Sequence, residues 1–365
     1  MKVLVVSNMY PSEEHPAYGG FVKSQVEQLR AGGIEVDLAV ITDRRKGFVA
    51  NIRKYLLLFF AMVSAIGRKY DVYHVHYLFP TGLIVLPVAL VTRTPVVLTA
   101  HGGDVLLGQR RQFRFLTKLT LSFAKGVIAV SESLAGKINK SFGVDIKKIT
   151  VASCGVDLDL FSPRDKRKSR AALGVPAETK LVLFVGNLVP VKGIENLLQS
   201  FAWMAKDEPL AQLALMGEGP LRDELQELAV QLGIENSCRW LTPVEHDQVP
   251  AIISAADLLV LPSLHEGFGL VALEALACGV PVVASRTGGL PEIVTDGKNG
   301  LLVEPGDKIE LAAAMSRLLK DDSLRKKYGK AGRTQVQKHC KEQQLAKINR
   351  VYDLAAASRQ QKNTL

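Results

Sequence analysis

The stretch HEGFGLVALE, residues 265–274, sets two carboxylates, Glu266 and Glu274, on either side of a Gly-Phe-Gly turn. It follows an apolar run, LLVLPS, and leads into a helix expected from about Leu270. Carboxylates so placed can accept hydrogen bonds from vicinal hydroxyls. Gly267 and Gly269 carry no side-chain bulk, so a ligand can approach the backbone closely. The helix start adds unpaired N–H groups and a positive dipole end, suited to a phosphate or a polarised hydroxyl. Either glutamate alone is explained by the helix N-terminus; the whole stretch is not. Other polar groups follow other apolar runs. Lys192 and Gly193 come after VLFVG in NLVPVKG, where a lysine can neutralise a diphosphate as a compact charge. His101 and Asp104 flank two glycines in HGGD after VVLTA, and His74 and His76 lie within VYHVH. A neutral histidine there can exchange hydrogen bonds with a substrate hydroxyl, with a buried structural role as the rival. Gly19 and Gly20 stand at the mouth of a helix, their amides free to meet an anion. In RTGGLPEIV, Pro291 and Glu292 read as ordinary helix initiation.

These groups need a frame that collects strand ends. Twelve short β-branched runs alternate with helical patterns, six in each half, from KVLVVSN to KITVAS and from KLVLFVG to GLLVEP. The runs are nearly continuous rather than alternating, as parallel strands buried on both faces require. The pattern predicts α/β architecture, with two doubly wound, Rossmann-like parallel sheets facing across a cleft. A length of 365 residues suits two domains, and 47% apolar content fills their cores. The polar, proline-punctuated stretch at 164–179 reads as the linker between domains 1–163 and 180–340. No GxGxxG follows the first strand and no GxxxxGK[ST] loop occurs, which argues against nicotinamide and P-loop chemistry.

The formal charge is +10, and residues 1–163 hold 20 cationic against 12 acidic side chains. Arg44, Arg45, Lys46, Arg53, Lys54, Arg68 and Lys69 share residues 44–70 with no acid; Arg110, Arg111, Arg114, Lys118 and Lys125 do the same in 105–125. Such segments point to an anionic membrane surface or an anionic acceptor, with a solvated basic face as the bland alternative. No aromatic-rich basic motif supports nucleic acid. The apolar run YLLLFFAMVSAI at 55–66 is too short to span a bilayer and suits a buried or interfacial helix. Four cysteines without CxxC pairing read as reduced thiols of a cytoplasmic protein, and the N-terminus reads as a first strand rather than a signal peptide.

Together HEGFGLVALEALACGVPVVAS, VGNLVPVKG, LMGEGPLR and AADLLVLPS resemble the donor half of retaining family-four glycosyltransferases of GT-B fold. GGFVKSQVEQL, DVYHVHYLFP, TAHGGD and GVDLDLFSP are similar to the acceptor half, so the resemblance spans nearly the whole chain. It implies an acceptor-side N-terminal domain, a C-terminal nucleotide-sugar domain, and a final helix, about 341–358, packing back on the first. It further implies that Glu266 and the backbone of Gly267, Phe268, Gly269 and Leu270 hold the donor sugar. Glu274 would hold the ribose, and Val244, in the loop 241–244, would lie near the base. Lys192 would stabilise the departing diphosphate with help from Gly20 beside Gly19, and His101 would lie beside the reacting sugar. Asp104 and His76 are the acceptor-side candidates.

The implied donor is a nucleotide diphosphate-sugar, with UDP favoured, and the implied acceptor a hydroxyl on a lipid-linked glycan or an anionic molecule. No separate cofactor or metal is called for, and an inner-membrane-face location accompanies the lipid-linked reading. Asn187 departs from the pattern, because many members carry an arginine there to pair with the lysine. The rival readings are a nucleotide-sugar epimerase on the same fold and a non-catalytic basic membrane- or anion-binding protein.

Overall fold

The computed structural model describes residues 1–15, 18–43, 45 and 47–363, which form two compact units. Met1–Gly155 and the segment from Lys341 onward make the first; Val156–Cys340 makes the second.

In the first unit β1 (Lys2–Ser7), β2 (Glu35–Val40), β3 (Val72–His76), β4 (Val96–Ala100), β5 (Gly126–Ala129) and β6 (Ile149–Val151) are all parallel, in the order β2-β1-β3-β4-β5-β6. Every residue of β3, β4 and β5 is buried, which is why those runs lack polar alternation. The crossovers are α1 (Gly20–Ala31), α2 (Phe48–Ser64), α3 (Thr81–Thr92), α4 (Gly103–Gln109), α5 (Arg111–Phe123) and α6 (Glu132–Phe142).

The second unit begins with α7 (Lys166–Ala172). Its sheet is β7 (Lys180–Val185), β8 (Ala211–Met216), β9 (Cys238–Leu241), β10 (Leu258–Leu261), β11 (Val282–Ser285) and β12 (Gly300–Val303), in the order β12-β11-β10-β7-β8-β9. Its other helices are α8 (Ile194–Ala205), α9 (Arg222–Gln231), α10 (Val249–Ala255), α11 (Leu270–Ala277), α12 (Leu290–Ile293), α13 (Lys308–Lys320) and α14 (Asp322–Gln335). The winding reverses between neighbours β7 and β10. Open α/β sheets bind ligands outside the carboxyl ends of the strands at such a reversal.

The expected linker folds inside the second unit. Asp165 caps α7 through the amides of Arg167 and Lys168, and buried Arg170 donates Nη2 to Asp257 at 2.7 Å. Asp257 also accepts the Leu181 amide at 2.6 Å, tying α7 to β7 and β10. Polar composition suited a connector, but a buried ion pair bridging 87 positions holds the segment down.

The last helix, α15 (Lys341–Asn363), belongs to the first unit. Ile348, Val351, Tyr352 and Ala355 enter one core cluster with Val3, Val5, Val97 and Ile128. The Tyr352 hydroxyl meets His74 Nδ1 at 2.7 Å, and His74 Nε2 meets Thr99 Oγ1 at 2.7 Å, so the helix is keyed to β3 and β4.

α2 is apolar on two faces. Leu58 and Met62 are buried, while Val49, Ile52, Leu56, Phe60 and Val63 form an outward stripe, with Phe60 62% exposed. The acid-free segment 44–70 is less basic in space than in sequence. Arg45 pairs with Asp43 at 2.6 Å, Lys54 lies 4.0 Å from Asp43, and Arg68 lies 3.7 Å from Asp37. Arg44 and Lys46 fall outside the described residues. No helix is long and apolar enough to cross a membrane, among the described residues.

Candidate active site

Two loops meet at the reversal point of the second sheet. The one after β7 ends in a short turn at Pro190–Lys192, and Gly193 then starts α8 at φ 64°. The one after β10 runs from Pro262 to Gly269, which starts α11 at φ 97°. The Leu264 amide donates to the Val191 carbonyl at 2.9 Å. A Cβ at Gly193 would sit 2.2 Å from the Pro262 carbonyl oxygen, so only glycine permits this approach. The loop after β11 closes in likewise: a Cβ at Gly288 would lie 1.7 Å from the Glu266 carbonyl oxygen. Gly288 thus braces the Glu266 loop, a role that the RTGG stretch did not announce.

Within this frame Lys192 Nζ donates to Glu266 Oε2 at 2.7 Å, and the Ser263 hydroxyl donates to the same oxygen at 3.2 Å. Both charged side chains are mostly covered, so their attraction is only partly screened. Gly267, Phe268, Gly269 and Leu270 continue from Glu266 into the first turn of α11. Glu274 follows one turn later, 5% exposed. Burial pushes its carboxyl above the usual range, while His246 opposes the shift. His246 Nε2 lies 3.2 Å from Glu274 Oε1, and no hydrogen bond to Oε2 is present among the described residues. The sequence reading missed His246, since a loop histidine 28 positions from its partner carries no spacing signal. Half-buried Val244 lies two residues before it. Asn187 sits on the loop after β7 with its side chain exposed, and forms no bond to Lys192.

The remaining candidates lie in the first unit. Gly19 packs against the end of β1, where a Cβ would be 2.7 Å from the Met9 carbonyl, while Gly20 opens α1 with nothing within 4 Å of its Cβ position. Phe21, next in the chain, packs on the His101 ring at 4.8 Å. Tyr77, at φ 75° in the left-handed region that side chains avoid, packs on that ring at 4.8 Å as well. His76 Nδ1 lies 3.0 Å from His101 Nε2. Burial pushes the His101 imidazole down to about 3 and holds His76 well below its usual range, so both are neutral at physiological pH.

The two acceptor-side candidates lie inside the first unit. His76 is completely buried. Asp104 is 4% exposed, and its oxygens accept the amides of Leu78 at 2.8 Å, His101 at 3.0 Å and Gly102 at 2.9 Å. Satisfying those backbone donors makes it an anchor for the loop after β4. Among the described residues no three His, Cys, Asp or Glu side chains gather as a metal ion would need.

Comparison with known proteins gives a consistent result. Residues 165–335 match the model of glycosyl transferases group 1, and residues 3–160 that of glycosyltransferase family 4. The D-inositol 3-phosphate glycosyltransferase of Corynebacterium jeikeium is 32% identical over 377 residues, covering 89% of this chain and 90% of that protein. The N-acetyl-α-D-glucosaminyl L-malate synthase of Bacillus anthracis is 31% identical over 269 residues, covering 73% of this chain and 70% of that one. Among solved structures, sucrose-phosphate synthase from Thermosynechococcus elongatus superposes with a TM-score of 0.86 at 26% identity, over 98% of this chain and 100% of that one. Anabaena HepE in complex with UDP-glucose superposes with a TM-score of 0.80 at 22% identity, over 98% and 100%. The paired parallel sheets are therefore those of the GT-B class of glycosyltransferases. Within that class the chain belongs to glycosyltransferase family 4, the group 1 glycosyl transferases.

Proposed function

We propose that this glycosyltransferase moves a sugar from a UDP-sugar to a hydroxyl of an anionic acceptor, with retention at the anomeric carbon. The observation that carries the reading is the cluster at the reversal point of the second sheet. It combines a compact cation, Lys192, two carboxylates, Glu266 and Glu274, and the open start of α11. The free Oε2 of Glu274 suits ribose hydroxyls, and Glu266 with the turn 267–270 suits those of the sugar. Lys192 is held by Glu266; an arriving diphosphate would compete for it while the sugar hydroxyls take over the carboxylate. The family resemblance adds Gly20 for the diphosphate and His101 for the sugar. UDP is favoured because HepE structures of the same fold hold UDP and UDP-glucose. An anionic acceptor is favoured because the names of both relatives above specify one, an inositol phosphate and malate.

When the anomeric C–O bond breaks, its electron pair goes to the diphosphate and the ring becomes cationic. Lys192 stabilises the first charge as it develops, which lowers the barrier rather than merely binding the donor. The acceptor oxygen attacks the same face and its proton passes to the departing phosphate oxygen. No enzyme nucleophile is required, so a trapped glycosyl–enzyme adduct would overturn this step.

The test is a donor screen by proton NMR, with and without inositol 3-phosphate or malate. Acceptor-dependent consumption of a UDP-sugar giving an α-linked product supports the proposal. An epimerised nucleotide sugar formed from donor alone points to the epimerase, and a screen with no turnover overturns the transferase reading of this site.

A second reading concerns location. The outward stripe of α2 is apolar, so the first unit suits the interface of a membrane.

A further inference from the structure

We propose that His76 is a positioning residue that fixes the tautomer of His101, so that His101 offers an N–H rather than a lone pair at Nδ1. The two rings are joined by their nitrogens, His76 Nδ1 to His101 Nε2 at 3.0 Å. They are inclined by only 17°, and their centroid separation, 5.2 Å, is what the contact distance and two ring radii add up to. The contact is thus an in-plane hydrogen bond rather than a face-to-face stack. Phe21 and Tyr77 pack on the His101 ring, and Asp104 holds its backbone amide. The ring is clamped, and its remaining freedom is which nitrogen carries the proton.

Because burial keeps both imidazoles neutral, one proton lies between them. If His101 donates it, His76 carries its own proton on Nε2. That atom is fully buried and has no hydrogen-bond partner among the described residues, so an N–H would be stranded. If His76 donates from Nδ1, only a lone pair is left there. Stranded buried donors are rarer than under-used acceptors, and an unmet buried polar group costs about 1–3 kcal/mol. The second arrangement therefore prevails. His101 accepts at Nε2 and keeps its proton on Nδ1, the nitrogen without a partner among the described residues, where it can donate to a substrate oxygen. The use made of that donor rests on the proposed function above; the tautomer does not.

The experiment is nitrogen-15 NMR of the full chain with labelled imidazoles, without ligand and near neutral pH, with signals assigned through His101→Gln. His101 is expected as the pure Nδ1–H tautomer in the wild type and turned toward Nε2–H in His76→Met, whose sulfur can only accept. An Nε2–H tautomer in the wild type, which requires no variant to fold, overturns the proposal. So does a His101 that stays purely Nδ1–H in His76→Met. On whichever nucleotide sugar the donor screen identifies, His76→Met should lower kcat about tenfold with little change in KM. His76→Asn, which can place an amide N–H where Nδ1–H stood, should recover most of it. Full kcat in His76→Met would overturn the functional half. A failed donor screen beside the expected spectra would count against the transferase reading alone.

Discussion

Lys192 holds the Glu266 carboxylate at 2.7 Å, so under the proposed function it would exchange one anion for another when the donor binds, and this would separate its roles in binding and in turnover. Glu266 competes with the diphosphate in the ground state, whereas the charge on the leaving group grows only in the transition state. Lys192→Ala should therefore lower kcat about 10²–10³-fold while changing donor affinity far less, as steady-state kinetics beside calorimetry would show. An equal loss in both would make Lys192 a simple binding group. Glu274→Ala should instead weaken UDP binding by about 1.5–3 kcal/mol, the worth of hydrogen bonds to a charged acceptor. Unchanged UDP affinity by calorimetry would remove Glu274 from the ribose. Both glutamates and the lysine were legible from residue type and from their places after apolar runs. The ion pair was not, because its partners are 74 positions apart and meet only where β7 and β10 are neighbours. Asp104 illustrates the reverse error. Its position after HGG looked chemical, yet three backbone amides claim it.

Helix α2 shows what an element adds to its residues. The sequence marked 44–70 as apolar and free of acids, but only folding sorts Leu58 and Met62 inward and Leu56 and Phe60 outward. It also brings Asp37 and Asp43 onto Arg68, Arg45 and Lys54, so under the membrane reading apolar area rather than charge would be the leading attraction. Each exposed side chain inserted into lipid is worth about 1.5–3 kcal/mol. Leu56→Ser with Phe60→Ser should then reduce co-sedimentation with phosphatidylglycerol-containing vesicles by at least about tenfold. Thermal stability should barely move, since both sites face outward. Wild-type protein that ignores such vesicles even at low salt would rule out the membrane reading. The linker expectation failed at the same scale, because composition at 164–179 could not show that Arg170 would be buried on Asp257.

At the scale of the whole molecule, α15 closes the first unit, and His74 records that closure as a dependence on pH. Burial holds its imidazole down to about 3, against about 6.5 when unfolded. Between those values the unfolded chain takes up a proton that the folded chain refuses. Stability from this group is thus complete above about pH 6.5 and falls as the solution becomes more acidic, by about 1.4 kcal/mol per unit. In chemical denaturation the advantage of wild type over His74→Gln should shrink at that rate between pH 6.5 and 5; parallel curves would show that His74 does not carry it. The sequence by itself determined the twelve strands, their parallel arrangement in two sheets, the family, and which polar residues stand at strand ends. Those features are local, since burial on both faces writes itself into continuous apolar runs and turns require glycine. Only the tertiary structure decided that Lys192 holds Glu266, that His246 holds Glu274, and that His76 meets His101 ring to ring. Each pairing joins segments far apart in the chain, and what brings them together is the packing of the whole sheet rather than any stretch of residues.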